Sequence, residues 1–308
     1  MHSIKDIITR IVNQNPYDGI LFSGGLDSSI VAALSPTAIG ITVTLGRHAE
    51  DTPYAHLLAK TIGMKQHRRS VSIDEAIANI PKVIKILKSF DPALPNDLAA
   101  YFGLETAKQL GLRRVATGDG SDELFGGYSF MAEIKDLNGY IAHVAKKMHF
   151  SSNDIGKYFH LKIVQPFFDQ RVINCALAIP ANLKIKKVKG KNWGKWILRK
   201  QFSDLLPKKI AWQSKRPLEV GSGMTKLRNI LSAQISDQEF AANPYPVKFF
   251  NKEHFYYYKV YRKVIGEIPR PRSGEKSCQG CGAGMDRNHF HCKVCGHVLP
   301  MLERYGLK

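Results

Sequence analysis

The sequence predicts an α/β fold in which a doubly wound parallel sheet carries a helical extension and a small cysteine-rich C-terminal module. Short apolar runs with the composition of buried strands alternate with helical segments over residues 1–117, which is the pattern of parallel sheets. Glycine-rich loops directly follow two of these strands. Because ligands bind beyond the carboxyl ends of parallel strands, both loops are expected at one edge of the sheet.

Each element is predicted from its own pattern. Residues 1–15 form a helix, because isoleucines and a valine recur on one face. Strands are predicted at 19–22, 38–45 and 113–117, and helices at 54–62, 75–87 and 97–110, with a further helix that ends at residue 34. Residues 131–266 are helical and basic, and the stretch 269–274 reads as a linker. The predicted divisions are 1–15, 16–266, a linker at 267–277, and 278–308.

The loop after the first strand has the composition of a phosphate cradle. It consists of Ser23-Gly24-Gly25-Leu26-Asp27-Ser28-Ser29. Glycines let the backbone approach an anion, and a helix N-terminus presents free N–H groups to it. Asp27 can hold a cation that neutralises phosphates. No Gly-Lys-Ser/Thr follows at the Walker spacing, so this is a different type of nucleotide loop.

The chain is strongly basic, with 45 lysines and arginines against 26 acidic residues and a formal net charge of +19. Such an excess suits a polyanionic partner, above all nucleic acid. It is concentrated in residues 184–200, with Trp193 and Trp196, and in residues 248–272, with the aromatic run Phe255-Tyr256-Tyr257-Tyr258. Phosphate contacts beside stacking surfaces predict RNA binding, and a solvated lysine face is the alternative.

The sequence contains neither an apolar stretch long enough to cross a bilayer nor a signal peptide at its start. We therefore expect no membrane partner and a cytoplasmic location.

A second loop follows the strand at 113–117 and carries three carboxylates within five residues. It reads Thr117-Gly118-Asp119-Gly120-Ser121-Asp122-Glu123-Leu124-Phe125-Gly126-Gly127-Tyr128. Acids at a strand end that faces a phosphate loop can bind magnesium and move protons. Together with Gln165-Pro166-Phe167-Phe168-Asp169 and Trp212-Gln213-Ser214-Lys215, the two loops make residues 15–225 resemble the synthetase domain of asparagine synthetases and their β-lactam synthetase relatives. The resemblance implies the PP-loop fold of the adenine nucleotide alpha-hydrolases, with ATP and Mg²⁺ as requirements and AMP and pyrophosphate as products.

The resemblance also implies roles for individual residues. The ATP phosphates would be held by Ser23, Gly24, Gly25, Asp27, Ser28 and Ser29, and the nucleotide would be lined by Phe22, Val43, Thr117 and Gly118. Asp27 and Asp122 would bind magnesium. Asp119 stands where the family carries a glutamate that handles a proton during nucleophile attack. Lys215 matches a lysine that stabilises charge on the phosphates and on the collapsing intermediate.

Two departures from the family bear on the substrates. Asparagine synthetases carry an N-terminal glutaminase domain, whereas this sequence enters the synthetase pattern almost at once, so ammonia is expected free or from a separate protein. Residues 90–97 replace a segment in which the family uses Thr and Arg around the substrate aspartate, and Lys162-Ile163-Val164 replaces its Glu-Ala-Arg. We therefore expect an acceptor other than aspartate.

The cysteines of the C-terminal module form two Cys-x-x-Cys pairs, each followed by glycine: Cys278 with Cys281, and Cys292 with Cys295. Four thiolates in a segment too short to bury a core predict a structural Zn²⁺ site, a zinc ribbon. Disulfides, and a redox or sulfur-carrying role of one pair, are the alternatives. We then expect His289, His291 and His297 to be surface or RNA contacts, and Cys175, on an apolar helix, to lie in the core.

Four functional hypotheses follow from the sequence. The first is an enzyme that adenylates a substrate oxygen and displaces AMP with ammonia or another nitrogen nucleophile, on a carboxylate borne by tRNA that the ribbon grips. The second keeps this activation but transfers sulfur to tRNA with the help of a sulfur-supplying protein. The third is an ammonia-dependent amide ligase for a small molecule, and the fourth is a non-catalytic RNA-binding protein. The sequence does not indicate the oligomeric state.

Overall fold

The centre of the protein is a five-stranded, all-parallel sheet in a computed structural model that describes residues 3–47 and 49–300. Its strands are β1 (Gly19–Leu21), β2 (Ile39–Leu45), β3 (Gln66–Val71), β4 (Arg114–Ala116) and β5 (Lys162–Val164). They lie in the order β3-β2-β1-β4-β5, and Gly19 of β1 is level with both Ile39 and Val115. The strand order reverses between β1 and β4, so the loops after these two strands meet at the switch point of the sheet.

Helices surround this sheet. They are α1 (Ile4–Gln14), α2 (Leu26–Leu34), α3 (Thr52–Ile62), α4 (Ile73–Leu87), α5 (Leu94–Gln109), α6 (Ser121–Phe125), α7 (Leu137–Ala145), α8 (Ser151–Tyr158), α9 (Gln170–Ala178), α10 (Ala181–Lys184), α11 (Trp196–Gln201), α12 (Lys208–Ala211), α13 (Leu218–Gly221), α14 (Lys226–Ser232), α15 (Asp237–Ala241) and α16 (Lys252–Val264). Short 3-10 turns span Ser129–Glu133 and Pro166–Phe168. Antiparallel hairpins are formed by β6 (Lys186–Val188) with β7 (Lys191–Trp193), and by β8 (Glu275–Ser277) with β9 (Gly284–Asp286). Within the described ranges, no helix has the length and apolarity needed to span a bilayer.

The sheet separates two apolar cores, as the doubly wound prediction requires. Helices α1, α2, α3 and α9 pack on one face, and α4, α5, α8 and α16 pack on the other. Helix α1 begins with a capping box made by Ser3 and Asp6, and its apolar stripe of Ile4, Ile8, Ile11 and Val12 is buried, as predicted. The fold class expected from the sequence is therefore confirmed.

Two strands of the sheet were missed by the pattern. β3 is an edge strand with the polar sequence Gln-His-Arg-Arg-Ser-Val, and only Val71 is buried. β5, the other edge, has three residues. β3 lacks an apolar run because its side chains, apart from that of Val71, are exposed or half-buried, and β5 contributes only Ile163 and Val164, which are too few to be recognised as a strand.

The cysteine-rich module is docked on the main domain. The Phe90 amide donates to the Val294 carbonyl at 2.7 Å, and the buried Phe90 ring lies within 5.3 Å of the rings of His254, Tyr258 and Tyr261. β8 begins inside the segment predicted as linker, and residues 301–308 of the predicted ribbon, like residues 1–2 of the predicted first helix, lie outside the described residues. The module thus shares a core with α4, α5 and α16.

Candidate active site

The loop after β1 is pressed against the start of α3. Gly24 has φ +83°, and a Cβ on it would lie 2.4 Å from the Ala55 nitrogen. A left-handed backbone in so tight a contact requires glycine. The glycine that the sequence assigned to a phosphate loop is therefore also the residue that lets the loop turn at the carboxyl edge of the sheet.

The hydroxyls of this loop point inward around its backbone. The Ser23 Oγ accepts a hydrogen bond from the Gly25 amide at 3.1 Å and lies 3.2 Å from the Ser28 Oγ. Helix α2 begins directly after Gly25 without a side-chain cap, and the buried Ser29 Oγ has no hydrogen-bond partner among the described residues. Uncapped amides together with an unsatisfied buried hydroxyl at a helix N-terminus form a set of donors that fits a phosphate group.

The loops after β1 and β4 are in direct contact, as their positions beside the switch point predict. A Cβ on Gly118 would lie 2.8 Å from the Asp27 Cβ, and the Ser121 hydroxyl donates to the Asp27 Oδ1 at 2.6 Å. Thr117 is buried at the end of β4. Because of these contacts, no residue larger than glycine fits at position 118. They also hold the carboxylate of Asp27 against the second loop.

Asp27 and Asp122, the predicted magnesium ligands, converge on the ammonium group of one lysine. The Lys195 Nζ lies 2.5 Å from the Asp27 Oδ2 and 2.7 Å from the Asp122 Oδ1, and its side chain is only 3% exposed. The Lys215 Nζ contacts the other oxygen of Asp122 at 2.6 Å. Although burial raises the pKa of Asp122, the two ammonium groups outweigh it and hold that pKa well below its usual range. Asp122 is therefore held in its ionised form, and it shares the buried Lys195 ammonium with Asp27.

Lys195 was missed as a site residue because it lies in the basic run that the sequence assigned to RNA. Its backbone has φ +55°, and its amide donates to the Phe125 carbonyl at 2.9 Å. A Cβ on Gly194 would lie 2.1 Å from the Gly126 oxygen, and a Cβ on Gly127 would lie 2.5 Å from the Lys195 Cε. Three glycines therefore let the chain before Lys195 cross the end of the second loop. The local sequence feature that could have pointed to Lys195 as a site residue is the glycine that precedes it, Gly194.

The segment with Lys215 is tied to the first loop by its neighbours. The Gln213 side chain donates to the Gly24 carbonyl at 2.8 Å, and the Arg216 guanidinium contacts the Asp51 Oδ1 at 2.8 Å. Burial lowers the pKa of the Lys215 ammonium, but the charges of Asp122 and Asp27 outweigh it and raise that pKa above its usual value. Lys215 is thus a charged, half-exposed group at the mouth of the site, as the resemblance implies.

Asp119 belongs to a neighbouring polar cluster. Its Oδ2 accepts hydrogen bonds from Thr117 at 2.7 Å, Ser152 at 2.6 Å and Gln165 at 2.9 Å. The donors come from three places in the chain (the residue after β4, helix α8 and the residue after β5), so the position of the carboxylate is fixed by tertiary structure. The three donors fix the orientation of this carboxylate within the second loop.

The two apolar residues predicted to line the nucleotide differ in their surroundings. Phe22 is 1% exposed and lies in the core, while its carbonyl accepts a hydrogen bond from the Thr42 hydroxyl at 2.7 Å. Val43 is half-buried on β2, next to Gly103 of α5. Val43 therefore offers a side-chain surface near the loops, whereas Phe22 can contribute only through its backbone.

The basic run 184–200 divides into buried and exposed members, which corrects its assignment as one surface. Lys184, Lys195 and Arg199 are buried, and the Arg199 guanidinium donates to the carbonyls of Ala211 and Gln213. The exposed members are Lys186, Lys187, Lys189, Lys191 and Lys200. Four of them lie in the β6–β7 hairpin, and the fifth lies on α11.

The aromatic run in the second basic segment does not form a stacking surface. Phe255, Tyr257 and Tyr258 are buried in the core beneath the cysteine-rich module, and Tyr256 is half-buried. Their alternation with lysines reflects the periodicity of α16, whose apolar face packs on α4 and α14. This part of the sequence-based argument for RNA binding is therefore wrong.

The four cysteines of the module form one compact group. Their Sγ atoms all lie within 4.8 Å of one another, the cysteines are buried, and none is disulfide-bonded. Tetrahedral thiolate coordination of Zn²⁺ requires such a cluster. His291 is exposed, as expected, and its Nε2 lies 3.0 Å from the Asp91 carboxylate. His297, contrary to expectation, is half-buried and lies against Gly280. Cys175 is half-buried at the edge of a core.

The segment 90–97, which departs from the family, contains a carboxyl group with a shifted pKa. Burial raises the pKa of Asp97 to about 7; a hydrogen bond with Ser151 opposes this, and the charge of Asp91 adds to it. The folded protein therefore holds this proton more tightly than the unfolded chain, whose aspartate pKa is about 3.9. This contribution to stability is complete below about pH 4 and is lost as the pH rises towards 7.

We expect Asp97→Asn to remove this pH dependence. The Tm of the wild-type protein should fall more between pH 5 and pH 8 than the Tm of Asp97→Asn, measured by differential scanning calorimetry. Asp74→Asn, which changes an exposed carboxyl in the first turn of α4, is the matched control and should follow the wild type. Parallel pH profiles of the wild type and Asp97→Asn would contradict the assignment.

Comparison with known proteins gives one consistent family. The profile of the asparagine synthase family matches residues 5–160 and 148–264. Asparagine synthetase (glutamine-hydrolyzing) 2 of Lotus japonicus is 29% identical over 287 residues, which cover 83% of this chain and 49% of the relative. A probable asparagine synthetase (glutamine-hydrolyzing) of Dictyostelium discoideum is 26% identical over 310 residues, with 84% and 53% covered. The chain thus spans about half the length of the curated relatives it matches.

Proposed function

Because the chain belongs to the asparagine synthase family, we propose that it is an ATP-dependent amide ligase acting on a carboxylate that RNA, and specifically tRNA, carries. ATP cleavage to AMP and pyrophosphate would adenylate the carboxylate, and ammonia or another nitrogen nucleophile would displace AMP. The contact between the two loops supports the first step, since it brings phosphate donors, carboxylates and two lysines together.

Within this site, we assign different roles to the acidic residues and to the lysines. Asp27 and Asp122 offer convergent oxygen ligands that suit Mg²⁺, which would supply positive charge to the phosphates. Lys195 and Lys215 carry the remaining positive charge at the same place and would stabilise pyrophosphate as it leaves. Asp119, held by three donors, is our candidate for accepting the proton that the nitrogen nucleophile loses.

One contact carries the proposal that the acceptor is RNA. The Lys191 Nζ of the β6–β7 hairpin lies 2.8 Å from the Ser214 hydroxyl, and Ser214 directly precedes Lys215. The exposed lysines of the hairpin therefore flank the mouth of the site. Near them, the Lys191 Nζ is 4.3 Å from the centre of the Trp193 ring, and the Lys186 Nζ is 5.1 Å from that of Trp196. Lysines beside aromatic rings suit a phosphate backbone with accessible bases.

A second candidate function is a small-molecule amide ligase. It is favoured by the names of the relatives, which are asparagine synthetases, and by the presence of the acidic residues and lysines around the two loops. Sulfur transfer is less well supported, because among the described residues the clustered cysteines are buried in the docked module, and burial raises the pKa of the Cys175 thiol. The ion-paired carboxylates and lysines argue against a non-catalytic protein.

Pyrophosphate release distinguishes these functions. We expect Mg-ATP to be turned over with bulk tRNA from a strain that lacks the gene, and not with aspartate. Mass spectrometry of the nucleosides would then identify the product. Release with aspartate that is indifferent to tRNA would overturn the RNA proposal and support the small-molecule ligase. Release with neither, under a range of ammonia concentrations, would overturn the RNA proposal and exclude aspartate as the acceptor of a small-molecule ligase.

Lysines of the hairpin provide a second test. Lys187→Ala/Lys189→Ala should weaken tRNA binding and reduce the slope of log Kd against log salt concentration by roughly two, because each lost phosphate contact changes it by about 0.9. The control is Lys60→Ala/Lys65→Ala, which removes two exposed lysines at the opposite edge of the sheet. An equal effect of both pairs would mean that the hairpin is only part of a general basic surface.

A further inference from the structure

A row of aromatic side chains begins beside the active site with an exposed stacked pair. The rings of Tyr128 and Phe130 lie 5.7 Å apart at an angle of 12°, and the residues are 38% and 37% exposed. The Tyr128 hydroxyl donates to Glu123 at 2.7 Å, and the Lys215 Nζ lies 5.7 Å from the centre of its ring. Two large rings with nearly parallel planes are thus held open to solvent next to Lys215.

The row continues from this pair to the docked C-terminal module. The Phe130 ring lies 6.1 Å from that of Tyr140 on α7, and the Tyr140 ring lies 6.3 Å from that of Phe290 in the module. His143, one turn further along α7, stacks on Phe290 at 5.7 Å. Tyr128, Phe130, Tyr140, Phe290 and His143 will be called the aromatic row. It connects the mouth of the active site to the module.

The lysine hairpin and the aromatic row start at the same place. A Cβ on Gly126 would lie 2.6 Å from the Ile185 side chain at the foot of β6, and Gly127 lies against Lys195 just after β7. Tyr128 follows these glycines directly. The exposed lysines of the hairpin and the first ring of the row are therefore neighbours on the surface. Charge complementarity singles out nucleic acid as the occupant, and flat exposed rings suit unpaired bases.

We propose that the exposed pair Tyr128 and Phe130, at the start of the aromatic row, is a stacking surface for unpaired bases of the RNA substrate, so that the protein binds single-stranded RNA in preference to a duplex. The buried Tyr140 ring supports this pair from below. The proposal rests on the proposed function, because it names the surface on which the RNA-borne acceptor is bound. The bases of a duplex are already stacked and paired, so only a single-stranded loop or end can offer its faces to Tyr128 and Phe130.

Phe130 allows a direct test, because it is not in the catalytic machinery. The probe is a fluorescein-labelled 12-nucleotide oligouridylate, compared with an RNA duplex of the same length, in fluorescence anisotropy titrations. Phe130→Leu keeps an apolar side chain without a ring face and should weaken single-strand binding about 5- to 150-fold, as loss of one base–aromatic stack does. Phe130→Trp should retain wild-type affinity. Tyr158→Leu, which removes another exposed aromatic residue on α8, is the control and should bind normally.

Each outcome has a separate meaning. Weaker single-strand binding in Phe130→Leu, with duplex binding and Tm unchanged and with rescue by tryptophan, supports the stacking surface. Wild-type affinity of Phe130→Leu for the single strand overturns it while leaving the RNA function intact. Equal losses for single strand and duplex also overturn it, since phosphate contacts alone would be affected. If the wild-type protein binds neither probe, the stacking surface is overturned, and the RNA function is then decided separately by tRNA-dependent pyrophosphate release.

Discussion

Replacement of Lys195 by methionine should reduce pyrophosphate release by about two to three orders of magnitude, the effect of removing a preorganised charge from an active site. The Lys195 ammonium is 2.5 Å and 2.7 Å from two carboxylates and is almost fully enclosed. Without it, the cation that remains against this pair among the described residues is Lys215, which contacts Asp122 alone. Steady-state release with the acceptor that supports wild-type turnover is the measurement.

The same variant should lose stability and gain a response to magnesium. Removing one partner of a buried ion pair costs about 3–5 kcal/mol, because the remaining charge is left without compensation. Asp27 and Asp122 then face each other across the space that the ammonium filled, and a divalent cation can neutralise both. We therefore expect Mg²⁺ alone, without nucleotide, to raise the Tm of Lys195→Met more than the Tm of the wild type.

Lys191→Met is the matched control for this experiment. It makes the same chemical change four residues earlier, at an exposed position of the hairpin. It should leave the Tm and its response to magnesium unchanged, although it can weaken RNA binding. Lys195→Met with wild-type turnover would show that the buried ammonium is a purely structural counter-ion. Equal magnesium responses in both variants would contradict the assignment of the two carboxylates as ligands.

Loss of the metal from the cysteine cluster should have the second large effect, a decrease in thermal stability. Four thiolates within 4.8 Å of one another would repel strongly or stay protonated without a cation. We expect one Zn²⁺ per chain by atomic emission, and a decrease in Tm of about 10 °C or more for Cys292→Ser, since each kcal/mol corresponds to about 2–4 °C in a domain of about this size. Cys175→Ser, outside the cluster, should keep both the metal and the Tm.

The effect should reach the active site, because the second cysteine pair holds the turn before α5. Phe90 and Ser89 both donate to the Val294 carbonyl, between Cys292 and Cys295. Beyond this turn, the Asn96 side chain accepts a hydrogen bond from the Glu219 amide at 2.8 Å, four residues after Lys215. Cys292→Ser should therefore also lower turnover, and an active, metal-free variant with wild-type Tm would contradict a structural role for the metal.

Most of the candidate active site could be predicted from sequence, because its parts are contiguous. A buried strand, two glycines and serines at a helix start determine the loop at Ser23–Ser29 locally, and the second loop likewise contains its own glycines and acids. The contact of Gly118 with Asp27 then follows from two neighbouring parallel strands. The spacing of the cysteines similarly predicted a cluster that needs no information from the rest of the chain.

The remaining features depend on residues far apart in the chain, and only the tertiary structure decides them. Lys195 and Lys187 belong to the same basic run, yet one is buried between Asp27 and Asp122 and the other is exposed. The difference arises because glycines 126, 127 and 194 allow two backbone segments to cross in contact. Likewise, the tyrosines of α16 look like a stacking surface in sequence and become core when the module covers them. Composition determines what a segment can bind, whereas burial by distant segments decides which of its side chains remain available to bind it.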